Sequence, residues 1–238
     1  MSTETATLIL NLIAAVALVG WVAGLTFVIA TGRMIASVSH PPDGEARFEP
    51  EVDPTVAGDF GAGPTSSAPA RGRTTLYGEG LIEGQAARLA RRFASRLASS
   101  GLAPGFPARV VEAADDRVGF EAPSTVGQPR GVVEFADAGG GRVGTRYRVD
   151  VGGTTSLLVG AGVILAAGLL AIVSGYWLVS TYVISLGNPA ARVQTIQMLQ
   201  VVHLIWPPFL LGGIARRRVG VVREALDTTL ANLPHLPD

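Results

Sequence analysis

The chain contains neither cysteine nor lysine. The first absence removes disulfides, thiolate metal ligands and cysteine nucleophiles together. The second makes all 19 basic residues arginine, balanced by 19 acidic ones, so no global charge steers the chain toward nucleic acid. Histidine is scarce as well. His40, His203 and His235 fall in the start of a linker, an apolar segment and a C-terminal tail, which is no pattern for a metal site or a catalytic triad.

Other chemistry is missing on closer reading. Gly78, Gly80 and Gly84 precede a helical pattern, the placement a dinucleotide site would use. The surrounding segment is too short for a doubly wound sheet, and Glu79 and Glu83 would repel phosphate. These glycines are therefore read as a helix-entry loop, with backbone freedom as their purpose. No G-K-[ST] follows any glycine run, so Gly139, Gly140 and Gly141 form a turn. Asp115 and Asp116 are adjacent in a turn and expected to be solvated rather than an acid and base pair. The expectation is a protein that is not an enzyme and holds no cofactor or metal.

What the chain does have is three long runs without a charged side chain, at 5–32, 151–191 and 193–215. Each exceeds the roughly 20 apolar residues that cross a hydrocarbon core. The predicted fold class is integral membrane α-helical, with three transmembrane helices and a small cytoplasmic α+β domain. The predicted segments are an outer tail and first span at 1–32, an acidic Pro/Gly-rich linker at 33–72, the domain at 73–155, the second span at 156–185, a short outer loop at 186–192, the third span at 193–215 and a cytoplasmic amphipathic tail at 216–238. No basic residue precedes the first run, and the run is too long for a signal peptide, so it is read as a retained helix.

Arginine distribution sets the expected orientation, because basic residues collect on the cytoplasmic side. Arg33 follows the first span, Arg142, Arg146 and Arg148 precede the second, and Arg216, Arg217, Arg218 and Arg223 follow the third. Arg192 stands alone opposite them. The N-terminus is thus predicted outside and the C-terminus inside, in a multi-pass protein of the plasma or inner membrane.

Within the domain, 85–99 reads as an amphipathic helix with Leu89, Ala90, Phe93 and Leu97 on one face, ending at Gly101. Strands are expected at 74–77, 109–113, 118–122, 131–136 and 142–151, the last alternating cleanly between apolar and polar residues. The helix should pack on one face of an antiparallel meander. Its opposite face carries Arg88, Arg91, Arg92 and Arg96, and with Arg216, Arg217 and Arg218 these form the expected surface for membrane lipid or an unidentified protein partner. Arg146 and Arg148 are expected beside that patch. The tail repeats Val219, Val222, Leu226, Leu230 and Leu233 at helical spacing and is expected either to rest on the inner leaflet or to pack on the domain, the latter favoured because its polar face carries Glu224 and Asp227.

Two features lie in the spans. Gly20 and Gly24 make a small-xxx-small face suited to packing within the bundle or to a homo-oligomer. In the third span Gln194, Gln197, Gln200 and His203 are three residues apart, followed by Pro207 and Pro208, which should kink or break the helix. On an α-helix such steps drift backward by about 60° each, giving a broad polar face. By depth, Asn11, Ser180 and Gln200 are expected to hydrogen-bond to one another, with Tyr176 and His203 slightly deeper. The leading reading is an accessory or scaffolding subunit whose domain binds a partner or the inner membrane surface. The alternative is a small transport or channel component using the polar face of the third span.

Overall fold

The computed structural model describes residues 2–39, 73–102, 106–123, 127–184 and 191–236. Most of the predicted linker, and most of the loop predicted at 186–192, lie outside the described residues. In chain order the elements are α1 (Thr3–Val38), β1 (Arg73–Glu83), α2 (Ala86–Ser100), β2 (Arg109–Ala113), β3 (Arg117–Glu121), β4 (Arg130–Gly139), β5 (Arg142–Gly152), α3 (Thr154–Leu178), α4 (Ala191–Gln197) and α5 (Trp206–Asn232). A π-helical stretch, Val179–Ile184, continues α3, and a 3-10 stretch, Met198–Leu204, follows α4. The fold is mostly helical, with three long apolar helices and an antiparallel five-stranded sheet. It divides into a helix unit from 1–34 and 156–216 and a sheet unit from 35–155 and 217–238.

In the helix unit, Thr3–Val38, Thr154–Tyr182 and Val193–His235 are each long and apolar enough to cross a membrane. Only 17%, 22% and 24% of their most apolar windows is buried, so most of their leucine and valine side chains face outward. Gly20 and Gly24 are used inside this unit. A Cβ on Gly20 would strike the Ile205 side chain, and one on Gly24 would press on Leu165 and Phe209. Trp21 Nε1 donates to the Leu165 carbonyl at 2.7 Å, and the Phe27 and Phe209 rings stack with centroids 5.4 Å apart. The glycine face proposed for self-association is thus already filled by the chain itself.

The third apolar segment departs from a single helix over 193–215. It runs as α4, then as 3-10 helix, and passes through Ile205, which keeps right-handed helical φ and ψ, into α5. Pro207 and Pro208 fall in the first turn of α5, where an amide hydrogen has no intrahelical partner to lose. No helix breaker then occurs until Pro234, and α5 passes through Arg216, Arg217 and Arg218 without interruption. The predicted tail is therefore the second half of one helix. α1 likewise runs to Val38, past the expected end at Gly32, since nothing before Pro41 interrupts it.

The sheet unit has the strand order β1-β5-β4-β3-β2, antiparallel throughout. β2 to β5 form the expected meander, and β1 adds at the β5 edge. α2 links the two outermost strands and lies against β2, β3 and β4. The register places Val118, Phe120, Val133, Phe135, Thr145, Tyr147, Val149 and Leu76 on one face, all buried. Phe93 of α2 meets Phe120 edge-on at 6.2 Å and Phe135 at 6.1 Å. The second half of α5 buries Val219, Val222, Leu226 and Leu230 in this same unit, and Leu233, in the 3-10 turn Leu233–His235 that follows, is buried too. Thr229 Oγ1 adds a buried hydrogen bond to the Leu102 carbonyl at 2.7 Å.

β1 corrects one expectation. It extends over 11 residues, not the four expected, and holds Gly78 and Gly80 inside a strand instead of a helix-entry loop. Gly78 pairs with Tyr147, and any Cβ there would occupy the volume of the tyrosine ring. Pairing along all of β5 thus overrides the poor strand propensity of glycine. The space lets Tyr147 Oη donate to Asp227 Oδ1 of α5 at 2.9 Å, with Arg223 Nε 3.6 Å from the other carboxylate oxygen. Burial, then the hydrogen bond to Asp227, push the Tyr147 phenol well above its ordinary value.

A phenol raised in the folded state holds its proton more tightly there than in the unfolded chain. Its stabilisation is complete below the ordinary tyrosine value of about 10 and falls as pH rises above it. Thermal unfolding of the full chain in detergent should show this alkaline loss, and Tyr147→Phe should flatten it while costing roughly 1 kcal/mol at neutral pH. Gly78→Val should cost more, on the order of 1–3 kcal/mol, by overfilling the space the ring occupies.

Candidate functional site

α2 forms because its apolar residues repeat at helical spacing, and Leu89, Ala90, Phe93 and Leu97 are all buried. The remaining face has no acidic residue. Arg88, Arg92 and Arg96 succeed one another at i, i+4, an arrangement that by itself disfavours an isolated helix slightly. Burial of the opposite face offsets that repulsion. Arg88, Arg91, Arg92 and Arg96 line an open groove of about 640 Å³, together with Gln85, Ser95, Ser99 and Leu236.

The four arginines are not equivalent. Arg92 donates through Nη1 to the carbonyls of Leu233 and Pro234, at 3.2 and 3.1 Å, binding α2 to the turn that ends the chain's last helix. Those carbonyls are helix-end acceptors in need of donors. Arg91 Nε bonds back to the Ala87 carbonyl at 3.1 Å and stays exposed, as does Arg88. The arginine triplet divides similarly. Arg216 and Arg217 are exposed, whereas Arg218 donates to the Gly152 carbonyl at 3.2 Å. Gly127 and Gly153, both at positive φ, leave room for its side chain. Arg92 and Arg218 therefore do structural work that sequence spacing did not reveal.

The open face of the sheet carries a second set of charges, and these cancel. Across the strands, Glu79, Arg146, Glu134 and Arg117 alternate in sign along one line, with Arg146 3.5 Å from Glu79, and Glu112, which the register sets opposite Gly119, lies 3.8 Å from Arg117. A parallel line runs Thr75, Asp150, Arg130, Glu121, Arg109. There Thr75 donates to Asp150 at 2.6 Å, and Glu121 stands 3.5 Å from Arg130 and 2.9 Å from Arg109. Arg148 lies over the Tyr77 ring at 5.9 Å. Arg146 and Arg148 thus belong to the face opposite α2, and do not extend its basic patch. Only the register, which no local pattern specifies, brings these partners together.

In the apolar helices, Tyr176 Oη donates to Asn11 Oδ1 at 2.9 Å, joining two of the expected residues. Ser180 Oγ bonds to the Trp177 carbonyl of its own helix. Gln197, Gln200 and His203 are exposed, and among the described residues no hydrogen bond joins them to Asn11. Among the described residues no three His, Asp or Glu side chains are grouped to hold a metal. Comparison with protein-family models, curated proteins and solved structures finds no match for this chain.

Arg92→Ala should loosen the C-terminal turn. Amide exchange at 233–236 should rise several-fold, while the α2 core around Phe93 keeps its protection.

Proposed function

We propose that this chain is a three-span integral membrane protein of the plasma or inner membrane, with its N-terminus outside and its sheet unit cytoplasmic. In this reading it is a non-enzymatic accessory or scaffolding subunit whose α2 groove docks on the anionic inner leaflet. The spans are supported by three helices of sufficient length whose outward surface is apolar, including Leu8, Val19 and Leu170. An exposed apolar area of that extent suits lipid, not water. The orientation rests on the one-sided arginine distribution.

The observation that carries the docking is the charge asymmetry of the sheet unit. Most charges of its open sheet face stand opposite a charge of the other sign, while α2 carries four arginines and no acid in its own sequence. Anionic lipid contributes about 1 kcal/mol for each arginine brought near it. The alternative, a small transport or channel component working through Gln197, Gln200 and His203, draws no support from their exposed positions.

The test uses the full chain in nanodiscs, with a fluorophore on Ser95→Cys in this cysteine-free background. Anionic lipid should shield the probe relative to neutral lipid, and salt of about 0.5 M should reverse much of the effect. Charge reversal at Arg88, Arg91 and Arg96 should abolish it, with Arg92 left in place to hold the tail. Equal shielding in neutral and anionic discs would sink the docking.

A further inference from the structure

The 3-10 stretch changes the meaning of the polar residues in the third apolar segment. Gln197, at its entry, has φ −61° and ψ −26°, and the stretch Met198–Leu204 continues through Gln200 and His203. A 3-10 helix has three residues per turn, so side chains at i and i+3 eclipse instead of drifting around the helix. Gln197, Gln200 and His203 therefore stand in one straight column, at intervals of about 6 Å. All three are exposed, as is Leu204, while Met198 and, in α4, Thr195 are buried. A broad polar face on an α-helix has become a narrow polar seam on the outside of the helix unit, flanked by exposed Ile196 and Leu199.

We infer that this column is a docking seam for a second copy of the chain. The inference rests on the membrane reading above, because only in hydrocarbon does an exposed carboxamide lack a water partner. The occupant follows from hydrogen-bond complementarity. Several other polar side chains of the helix unit are closed on the chain itself: Tyr176 on Asn11, Trp21 on Leu165, Ser174 on Leu170 and Thr26 on Val22. Gln194 Oε1 and Thr195 Oγ1 lack a partner but are buried, whereas the column offers its donors and acceptors on the outside. A carboxamide carries both, so one glutamine column satisfies another. Two copies related by an axis along the membrane normal place Gln200 opposite Gln200 at the same depth. The apolar flanks then close around the pair. Gly20 and Gly24, filled by Ile205, Leu165 and Phe209, are not available for this role.

The absence of native cysteine makes the test direct. Single variants Gln197→Cys, Gln200→Cys and His203→Cys are oxidised in native membranes, beside Val163→Cys, an exposed position on α3. Disulfide-linked homodimers should form at all three column positions at roughly tenfold or more the yield at Val163. Linkage no greater than at Val163 would overturn the seam, and a linked species whose mass shows a different protein would overturn the second copy. Because loss of a glutamine can itself weaken association, the native chain is also measured: energy transfer between differently labelled copies should occur, and should fall in Gln197→Leu/Gln200→Leu. Transfer unchanged in that variant would also overturn the seam. Alkaline carbonate extraction of the same membranes separates the two failures. A chain that resists extraction without column-specific linkage retains the membrane reading and loses the seam. A chain that is extracted loses both.

Discussion

One face of the five-stranded sheet is apolar, and α2 alone does not cover it. The meander and β1 bring Val118, Phe120, Val133, Phe135, Tyr147, Val149 and Leu76 to that face. α2 reaches β2, β3 and β4 and places Phe93 against the two phenylalanines. The remaining apolar surface is supplied by the second half of α5, which buries Val219, Val222, Leu226 and Leu230, and by Leu233 of the turn after it. Complete burial of a side chain such as Phe or Leu is worth about 1.5–3 kcal/mol, so the stripe is a major part of the unit's stability. Polar ties then fix its register: Tyr147 to Asp227, Thr229 to Leu102, Arg92 to the final turn and Arg218 to Gly152.

Covering one face decides what the rest of the unit can present. The uncovered sheet face meets solvent with alternating charges paired across neighbouring strands. Each exposed pair contributes little, about 0–1 kcal/mol. α2 differs from that face in its own sequence, which carries four arginines and no acid. The same helix therefore serves the core with Phe93 and Leu97 and the surface with Arg88, Arg91 and Arg96. Arg92 sits between these roles, spent on the chain's own carbonyls.

The helix unit shows the corresponding economy with small and polar residues. Gly20 and Gly24 accept side chains from the other apolar helices, which packs the unit but uses up the face that glycine offers to a neighbour. Exposed polar side chains stand instead in the third segment, where Gln197, Gln200 and His203 follow one another at and within a 3-10 stretch. The prolines that follow fall in the first turn of α5, just after that stretch.

Local periodicity was sufficient to find the three apolar segments, α2 and its buried face, four of the five strands to within a few residues, and the aliphatic stripe of α5. Those features depend on side chains a few positions apart, which sequence displays directly. The full length of β1 was hidden, because Gly78 and Gly80 carry no strand preference and are held by β5. The charge pairs on the open face were hidden for the same reason: Glu79 meets Arg146, and Glu121 meets Arg130, only once the register is set. Nor did spacing distinguish Arg92 and Arg218 from their neighbours, since a carbonyl acceptor elsewhere in the fold has no signature in the arginine's own surroundings. By itself the sequence determined which segments avoid water and where positive charge accumulates. Tertiary structure alone decided which of those charges are already partnered and whether polar residues three apart spread around a helix or stand in line, because both depend on backbone geometry that distant contacts impose.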